Sequence, residues 1–338
     1  MSGKQTINLP AELSNYGINS RSKSVRWFRD EATPDLIDYL DLVEPQGPQA
    51  ERLIIPDGVV ENQERPLLFF VDQGHLAVPP NEQQQQINDL RRTLACRGDR
   101  AYLAIVRPGT LDVIPVSLKD RTSEWKHFDA GSPEAITFFS RLALGRCEDL
   151  PAGGEVDYLF KEIFTLVDKS ATRLEQLKVK RTDVLSLVGR ALFFRFLKDR
   201  SIVKDTDLKK ICPRAASLIE CFDDAENAAA TCRWLDKTFN GDFLPLTDDG
   251  SVEFFESLGK RTGKQVFFQL GTIIRGEEPS SDDESQGQFN FKSGKLVESN
   301  KPNWGHLDFA HIPVGLLSQV YEKLSWKWNP ERSQKTSV

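Results

Sequence analysis

The stretch Thr182-Asp-Val-Leu-Ser-Leu-Val-Gly-Arg-Ala-Leu-Phe-Phe-Arg-Phe-Leu-Lys-Asp-Arg200 predicts the centre of the fold. Ten of its side chains are apolar, and at helical spacing they spread around most of the helix circumference. A helix that is apolar on nearly every side lies inside a bundle. Thr182 is the expected N-cap, and Asp199, one turn after Arg195, is expected to neutralise that guanidinium. The pattern therefore predicts a buried helix around which its neighbours pack.

Two stretches of the chain resemble one known class of enzymes. Leu192–Arg200 (Leu-Phe-Phe-Arg-Phe-Leu-Lys-Asp-Arg) resembles the helical segment ahead of the catalytic domain in large adenine-specific DNA methyltransferases. These enzymes belong to Type I and Type IIG restriction-modification systems and to related phage-defence systems. Phe309–Ser325, with its Ile-Pro and its Val-Tyr-Glu, is similar to a second landmark of that class, a helix that leads into the methyltransferase fold. The two stretches stand in the same order in the family, which makes the pair more specific than either alone.

The full enzyme that this resemblance implies flips an adenine out of duplex DNA and methylates its N6 with S-adenosylmethionine. In that class a Tyr-Thr-Pro motif, a Gly-rich cofactor loop and an Asn-Pro-Pro-Tyr/Phe motif follow the second landmark. This sequence ends at Val338 before such motifs, and Asn329-Pro-Glu331 does not match the last of them. The resemblance thus implies the part of the enzyme that precedes the catalytic domain, inactive alone and without a bound cofactor.

The partners implied by the resemblance are double-stranded DNA and a methyltransferase catalytic domain, in the same chain or in a separate one. The apolar segment Ile312–Trp328 is then expected to be an interface that the catalytic domain covers. A different class of function stays open, namely a non-catalytic interaction or adaptor protein of a defence locus.

Composition limits the alternatives. The chain has 338 residues, enough for two domains, and a net charge of −6 from 44 basic and 50 acidic residues. A mildly acidic net charge argues against nucleic-acid binding over the whole surface, although a local basic patch can still bind DNA. The five cysteines are widely spaced, which indicates reduced thiols rather than disulfides or a zinc knuckle. Without a signal peptide or a membrane-spanning apolar run, the chain is expected to be soluble and cytoplasmic.

Residues 1–151 are predicted to form an α/β domain. Ser2–Arg29 is polar and is interpreted as a solvated surface arm. The predicted elements that follow are strands at Leu53–Asp57 and Pro66–Val71, a helix at Gln83–Cys96, a hairpin of Arg100–Val106 with Thr110–Val116, and a helix at Ser132–Gly145 capped by Ser132. Short apolar runs bounded by turn residues are typical of buried strands.

Residues 152–338 are predicted to form an all-α helical-bundle domain. From Glu155 to about Asn240 almost every segment has helical spacing, and two further helical segments follow. Residues 276–303 are polar and turn-rich, and they are expected to be a mobile insert.

Two aspartates of the first domain suggest a restriction nuclease. In such nucleases a Pro-Asp and a following strand with Asp/Glu-x-Lys hold a divalent metal and a water. Here Pro56-Asp57 precedes a strand that ends in Asp72-Gln-Gly74, so Gly74 stands where the lysine is needed. The pattern indicates a degenerate restriction-nuclease-like fold or a Mg-dependent nuclease using Asp57 and Asp72. The alternative is that both aspartates are ordinary turn residues.

The candidate DNA-binding residues lie in the second domain. Lys178, Lys180 and Arg181 precede the central helix, within a longer basic region that reaches Lys210. Several aspartates are interspersed there, so a solvated salt-bridged face is an equally good interpretation of the wider region. Phosphate contact is expected at Lys178, Lys180 and Arg181.

Overall fold

The computed structural model describes residues 7–29, 36–45, 53–76, 79–118, 125–147, 150, 154–239, 244–277, 289–290, 295–296 and 304–328. The chain divides into two compact units, Met1–Leu159 and Phe160–Val338. No helix in the described ranges is long and apolar enough to cross a membrane.

The first unit is built on a six-stranded mixed sheet. Its strands follow the chain order and are β1 (Val25–Trp27), β2 (Gly58–Asn62), β3 (Arg65–Asp72), β4 (Tyr102–Arg107), β5 (Thr110–Pro115) and β6 (Lys126–Asp129). All neighbouring strands are antiparallel except β3 and β4, which are parallel. A parallel pair needs a long crossover, and here the helix Pro80–Cys96 lies between the two strands in the chain.

Among the described residues, four α-helices lie wholly within this unit: α1 (Leu9–Ser14), α2 (Leu40–Val43), α3 (Pro80–Cys96) and α4 (Pro133–Ala143). Successive side chains of a strand point to opposite faces of the sheet. Leu68 and Phe70 therefore belong to one core with α1 and α4, whereas Phe69 and Val71 belong to a second core with α3. The sheet is apolar on both faces because helices cover both of them.

The predicted hairpin and both long helices of this unit are present, but two other predictions were wrong. The described part of Ser2–Arg29, residues 7–29, is not a solvated arm, because Leu9 and Leu13 of α1 are buried and strand β1 pairs with β2. Leu53–Asp57 is not a strand. The strand starts at Gly58, where a Cβ would clash with the backbone oxygen of Arg26, so the close approach of β1 requires glycine.

The second unit is mainly helical. Its helices are α5 (Gly154–Gln176, which starts in the first unit), α6 (Arg181–Asp199), α7 (Leu208–Ile211), α8 (Ala225–Phe239), α9 (Val252–Thr262), α10 (Gln265–Arg275) and α11 (Val314–Trp328). The unit is not all-α, because strands β7 (Phe289–Asn290) and β8 (Lys295–Leu296) form a small hairpin. The rest of the proposed mobile insert beyond residue 277 lies outside the described residues.

Helix α6 is the buried centre of this unit, as the sequence predicts. Fifteen of its 19 residues are buried. The predicted N-cap was wrong, because Lys180 occupies that position in extended conformation and the helix begins at Arg181. The buried Asp183 carboxylate accepts hydrogen bonds from the backbone N–H and the hydroxyl of Thr247, each at 2.9 Å. The start of α6 is thus fixed by a distant loop rather than by a local cap.

Arg195 connects α6 to two other segments, α10 and residues 304–307. Its Nε donates to Asp199 at 3.2 Å, which confirms the predicted pair. Its two terminal nitrogens donate to the carbonyl oxygens of Ile273, Trp304 and Leu307 at 2.8–3.1 Å. A buried guanidinium with this many acceptors is fully engaged in structure.

The expectation that Ile312–Trp328 forms an uncovered interface was wrong. Leu316, Val320 and Leu324 of α11 are buried, and α11 packs on α6 at Gly189, which leaves room for the Tyr321 ring. Because the apolar side of α11 faces its own unit, this helix gives no support to a missing partner. Val314 and Trp326 are the large apolar side chains of α11 that are mostly exposed.

Candidate functional site

Asp57 and Asp72 lie side by side in the first unit. The antiparallel register places the start of β2 against the end of β3, and Asp57 N–H donates to Phe70 O at 2.9 Å. The Asp57 carboxylate in turn accepts from the backbone N–H of Asp72 at 2.6 Å. Both aspartates are 2% exposed. The structure therefore brings together the two residues that the sequence analysis singled out.

Two side chains that the sequence analysis did not assign to this site complete it. Arg29 Nε lies 2.9 Å from Asp57 Oδ1, and His75 Nδ1 lies 2.9 Å from the same oxygen. Arg29 reaches the site because Phe28, the residue after β1, still donates its N–H to Asp57 O at 3.0 Å. The aromatic pair Trp27-Phe28 immediately precedes Arg29. This pair was the signal in the sequence that the segment contains a strand rather than a solvated arm.

His75 reaches the site through a short turn. Asp72 Oδ1 accepts from Gly74 N–H at 2.7 Å and caps the 3-10 turn Gln73–His75. The turn folds the imidazole back towards Asp57. Gly74, which stands where the nuclease pattern considered above requires lysine, thus supplies a backbone donor.

This arrangement is an ion-paired network rather than an open ligand set. Asp57 Oδ1 pairs with Arg29, Oδ2 accepts from Asp72 N–H, and His75 Nδ1 lies 2.9 Å from Oδ1 and 3.0 Å from Oδ2. In the described ranges no group of three or more His, Cys, Asp or Glu side chains is placed to hold a metal ion. A divalent cation at Asp57 would have to displace the guanidinium of Arg29.

The described residues directly after β3 and β4 lack the loop of a usual S-adenosylmethionine site. A cradle of the usual kind needs a Gly-rich loop between a strand and a helix. After β3 the chain makes the capped turn Gln73–His75, and after β4 it enters the two-residue turn Pro108-Gly109 of a hairpin. Neither connection provides such a loop.

Lys178 and Lys180 lie between α5 and α6, Arg181 is the first residue of α6, and all three are exposed. Lys178 adopts a positive φ of 62°, and its N–H donates to Glu175 O at 2.8 Å. Arg181 Nε pairs with Glu175 Oε1 at 2.8 Å, and its guanidinium carbon lies 5.6 Å from the centre of the Trp328 ring. The turn presents three cations and one carboxylate on one short stretch.

Other members of the wider basic region have structural partners. Arg190, buried in α6, donates to Leu244 O at 2.6 Å and pairs with Asp236. Lys198 Nζ lies 2.9 Å from Asp199. These side chains are engaged inside the helical unit, so the turn Lys178–Arg181 is the better candidate for phosphate contact.

Comparison with protein-family models, with curated proteins and with solved structures finds no match to this chain. The functional interpretation therefore rests on the geometry of these two clusters and on the resemblance carried by Leu192–Arg200 and Phe309–Ser325.

Proposed function

We propose that this chain is the N-terminal part of a DNA adenine N6-methyltransferase of a restriction-modification or related phage-defence system. In this role it positions duplex DNA and supports a catalytic domain that binds S-adenosylmethionine. One observation carries the proposal: the two stretches that resemble this class separately are in direct contact. Arg200, the last residue of the first stretch, donates to Phe309 O at 3.3 Å and to Ile312 O at 2.8 Å, both in the second stretch.

Contact between the two stretches means that they form one structural feature, as landmarks of a common domain would. They are 109 and 112 residues apart in the chain at these two bonds. If both resemblances arose by chance, there would be no reason for the two stretches to contact each other. In this proposal the methyl-transfer chemistry belongs to the catalytic domain, and the residues of this chain position the DNA.

The proposed DNA contact is the turn Lys178–Arg181. Lysine and arginine side chains at a surface turn neutralise phosphates, and each neutralised phosphate makes the affinity more salt-dependent. Because the chain as a whole carries −6, such a local patch determines where the phosphate backbone approaches. Glu175 reduces the charge of this patch through its pair with Arg181.

A DNA-binding titration at several salt concentrations tests this contact. The Lys178→Ala/Lys180→Ala/Arg181→Ala variant is compared with the wild type and with Lys204→Ala/Lys209→Ala/Lys210→Ala, which removes the same charge from exposed positions of the same unit. We expect the first variant to bind a fluorescent duplex more weakly. Its salt slope should fall by about 1 for each phosphate that the protein no longer neutralises. The second variant should retain the wild-type slope.

Equal slopes for all three proteins would rule out the proposed contact. Absence of any duplex binding by the wild type would favour the alternative of a non-catalytic adaptor protein. The chain alone is expected to transfer no methyl group to duplex DNA. Addition of a methyltransferase catalytic domain, as a fused or a separate chain, is expected to be necessary for that transfer.

The first unit is proposed to be a restriction-nuclease-like domain that does not cleave. Supporting this, β1, β2 and β3 form an antiparallel meander, β4 joins β3 in parallel, and Asp57 and Asp72 meet between β2 and β3. Arg29 on Asp57, and Gly74 in place of lysine, both oppose catalysis.

The second candidate function, a Mg-dependent nuclease using Asp57 and Asp72, is favoured by the proximity of these two buried residues, since the Asp72 backbone N–H lies 2.6 Å from the Asp57 carboxylate. Incubation of plasmid DNA with Mg²⁺ or Mn²⁺ distinguishes the two. We expect no cleavage by the wild type. Cleavage that Asp72→Ala abolishes, and that the partly exposed control Asp89→Ala retains, would establish the nuclease instead.

A further inference from the structure

A cavity of about 370 Å³ lies in the helical unit between helices α6 and α11. Its volume falls within the range of about 300–1,000 Å³ that small-molecule sites occupy. Its described lining residues all belong to this one unit. None of them is part of the network around Asp57 or of the turn Lys178–Arg181, so the cavity is separate from both candidate clusters.

The wall that α6 contributes to the cavity is apolar and regular. It is formed by four residues at positions i, i+3, i+4 and i+7, namely Gly189, Leu192, Phe193 and Phe196. This spacing places them on one face of the helix. The Phe193 and Phe196 rings are stacked with their centres 6.4 Å apart, a distance at which aromatic rings attract each other. The wall thus offers a ligand ring two aromatic neighbours.

The wall that α11 contributes is also apolar, but solvent reaches it. Val314, Leu317 and Tyr321, at positions i, i+3 and i+7, line this side. Val314 is 53% exposed, and the other two are half-buried. A Cβ on Gly189 would lie 2.9 Å from the Tyr321 ring, so α6 and α11 already touch at this point and cannot approach further to fill the space. Apolar surface left in contact with water favours a ligand that covers it.

Among the residues that the structure describes, one charged side chain lines the cavity. This is Glu322, next to Tyr321 on α11. It forms no hydrogen bond or ion pair with a described residue. The following cation, Lys323, is engaged elsewhere, because its Nζ lies 5.0 Å from the centres of the Phe160 and Phe164 rings. The Glu322 carboxylate is thus available to a positive group at the edge of an apolar space.

We propose that this cavity binds an aromatic amine. Its ring lies between α6 and α11 against Phe193 and Phe196, and its ammonium group pairs with Glu322. Small-molecule sites combine mostly apolar walls with a few polar groups that fix the orientation of the ligand. A carboxylate without a partner favours a cation over a neutral or anionic analogue, and aromatic rings also attract a positive charge placed over their faces. This site goes beyond the proposed function, because it requires neither DNA nor a catalytic domain.

Three ligands with the same indole ring test the proposal. Tryptamine carries a positive side chain, tryptophol a neutral one and indole-3-propionate a negative one. In calorimetric titrations of the full chain we expect tryptamine to bind about three-fold or more tightly than tryptophol, which is the effect of one exposed ion pair. Indole-3-propionate should bind more weakly than both, because its carboxylate meets that of Glu322. The order of the three affinities therefore reports the sign of the charge at the cavity.

Two variants locate the binding. Glu322→Gln should lower the affinity for tryptamine to that for tryptophol and should leave the affinity for tryptophol unchanged. Leu317→Trp should weaken all three ligands by a similar factor, since the larger ring occupies space that the ligand needs. Glu253→Gln is the control, because it makes the same charge change at an exposed position of the same unit, and it should bind all three ligands like the wild type.

The proposal is overturned if the folded wild type does not bind tryptamine, or if indole-3-propionate binds as tightly as tryptamine. It is also overturned if Glu322→Gln keeps the wild-type preference for tryptamine, or if Leu317→Trp with a native circular dichroism spectrum binds all three ligands as the wild type does. The Lys178→Ala/Lys180→Ala/Arg181→Ala variant should bind tryptamine like the wild type. Failure of this proposal can therefore be told apart from failure of the proposed DNA contact.

Discussion

The terminal nitrogen Nη2 of Arg200 donates to the carbonyl oxygen of Ile312 at 2.8 Å, and this bond joins the end of the central helix α6 to the segment just before α11. Arg195, at an earlier position of the same helix, donates to Trp304 O and Leu307 O. Two arginines near the end of one helix thus satisfy the backbone of the segment 304–312. Because that segment has no regular helix beyond one short turn, its carbonyl groups depend on such donors.

Replacement of Arg200 should therefore destabilise the helical unit. We expect Arg200→Ala to lower the free energy of unfolding by about 2–3 kcal/mol, since hydrogen bonds to a charged donor contribute about 1.5–3 kcal/mol each and the carbonyl groups lose their partner. Urea denaturation followed by circular dichroism measures this. The exposed Arg233→Ala in α8 is the control and should change stability by less than about 0.5 kcal/mol. Equal effects of both variants would show that Arg200 has no such role.

We expect the substitution of glycine by alanine to have opposite effects at two positions. A Cβ at Gly189 in α6 would lie 2.9 Å from the Tyr321 ring and 3.2 Å from Leu244, whereas a Cβ at Gly315 in α11 meets nothing within 4 Å. We expect Gly189→Ala to destabilise the chain by about 1–3 kcal/mol through overpacking. Gly315→Ala should be neutral or stabilise it by up to about 1 kcal/mol, because alanine favours helix. Thermal unfolding compares the two, and a stable Gly189→Ala variant would contradict the close packing of α11 on α6.

Tyr16 predicts a loss of stability at alkaline pH. Burial of its ring, together with the nearby Glu12, raises the pKa of the Tyr16 hydroxyl to about 12 from an ordinary value of 10.0. Between these two values the folded chain holds a proton that the unfolded chain releases. The contribution of Tyr16 is therefore complete below about pH 10 and is lost as the pH rises to about 12. Unfolding free energies measured across this range should fall less steeply for Tyr16→Phe than for the wild type.

The control for the alkaline measurement is the behaviour of Tyr16→Phe at neutral pH. The Tyr16 hydroxyl donates to Phe128 O at 3.3 Å, a long bond, so the variant should lose about 1 kcal/mol or less there. An identical pH dependence of both proteins would mean that Tyr16 does not titrate differently in the two states.

We expect that removal of Arg29 makes Asp57 and Asp72 accessible to a metal ion. Its guanidinium pairs with the buried Asp57, and its removal leaves that carboxylate beside Asp72 without the competing cation. We expect Arg29→Ala to bind Mn²⁺ about ten-fold or more tightly than the wild type, as measured by calorimetry. Arg26→Ala, which removes an arginine that pairs with Glu61 at 3.1 Å, should behave as the wild type. Similar Mn²⁺ affinities for Arg29→Ala and Arg26→Ala would show that Arg29 does not occupy the metal position.

Local patterns were sufficient to predict several elements. Ser132 caps α4 through a hydrogen bond from Ala135 N–H at 3.2 Å, and Pro108-Gly109 turns the hairpin of β4 and β5. The all-round apolar character of α6 predicted its burial. In each case the signal lies within a few residues, because caps, two-residue turns and helical spacing are short-range properties.

The sequence by itself also determined which two aspartates follow the nuclease pattern, and it indicated that Arg195 and Asp199 pair one turn apart. Only the tertiary structure decided that Arg29 and His75 join Asp57, that Asp183 binds Thr247, and that α11 covers its own unit. The reason is physical: these contacts join residues that local spacing does not relate, and sheet register and helix packing bring them together. A local pattern fixes an element, but the partner of a buried charge or apolar face is chosen by the whole fold.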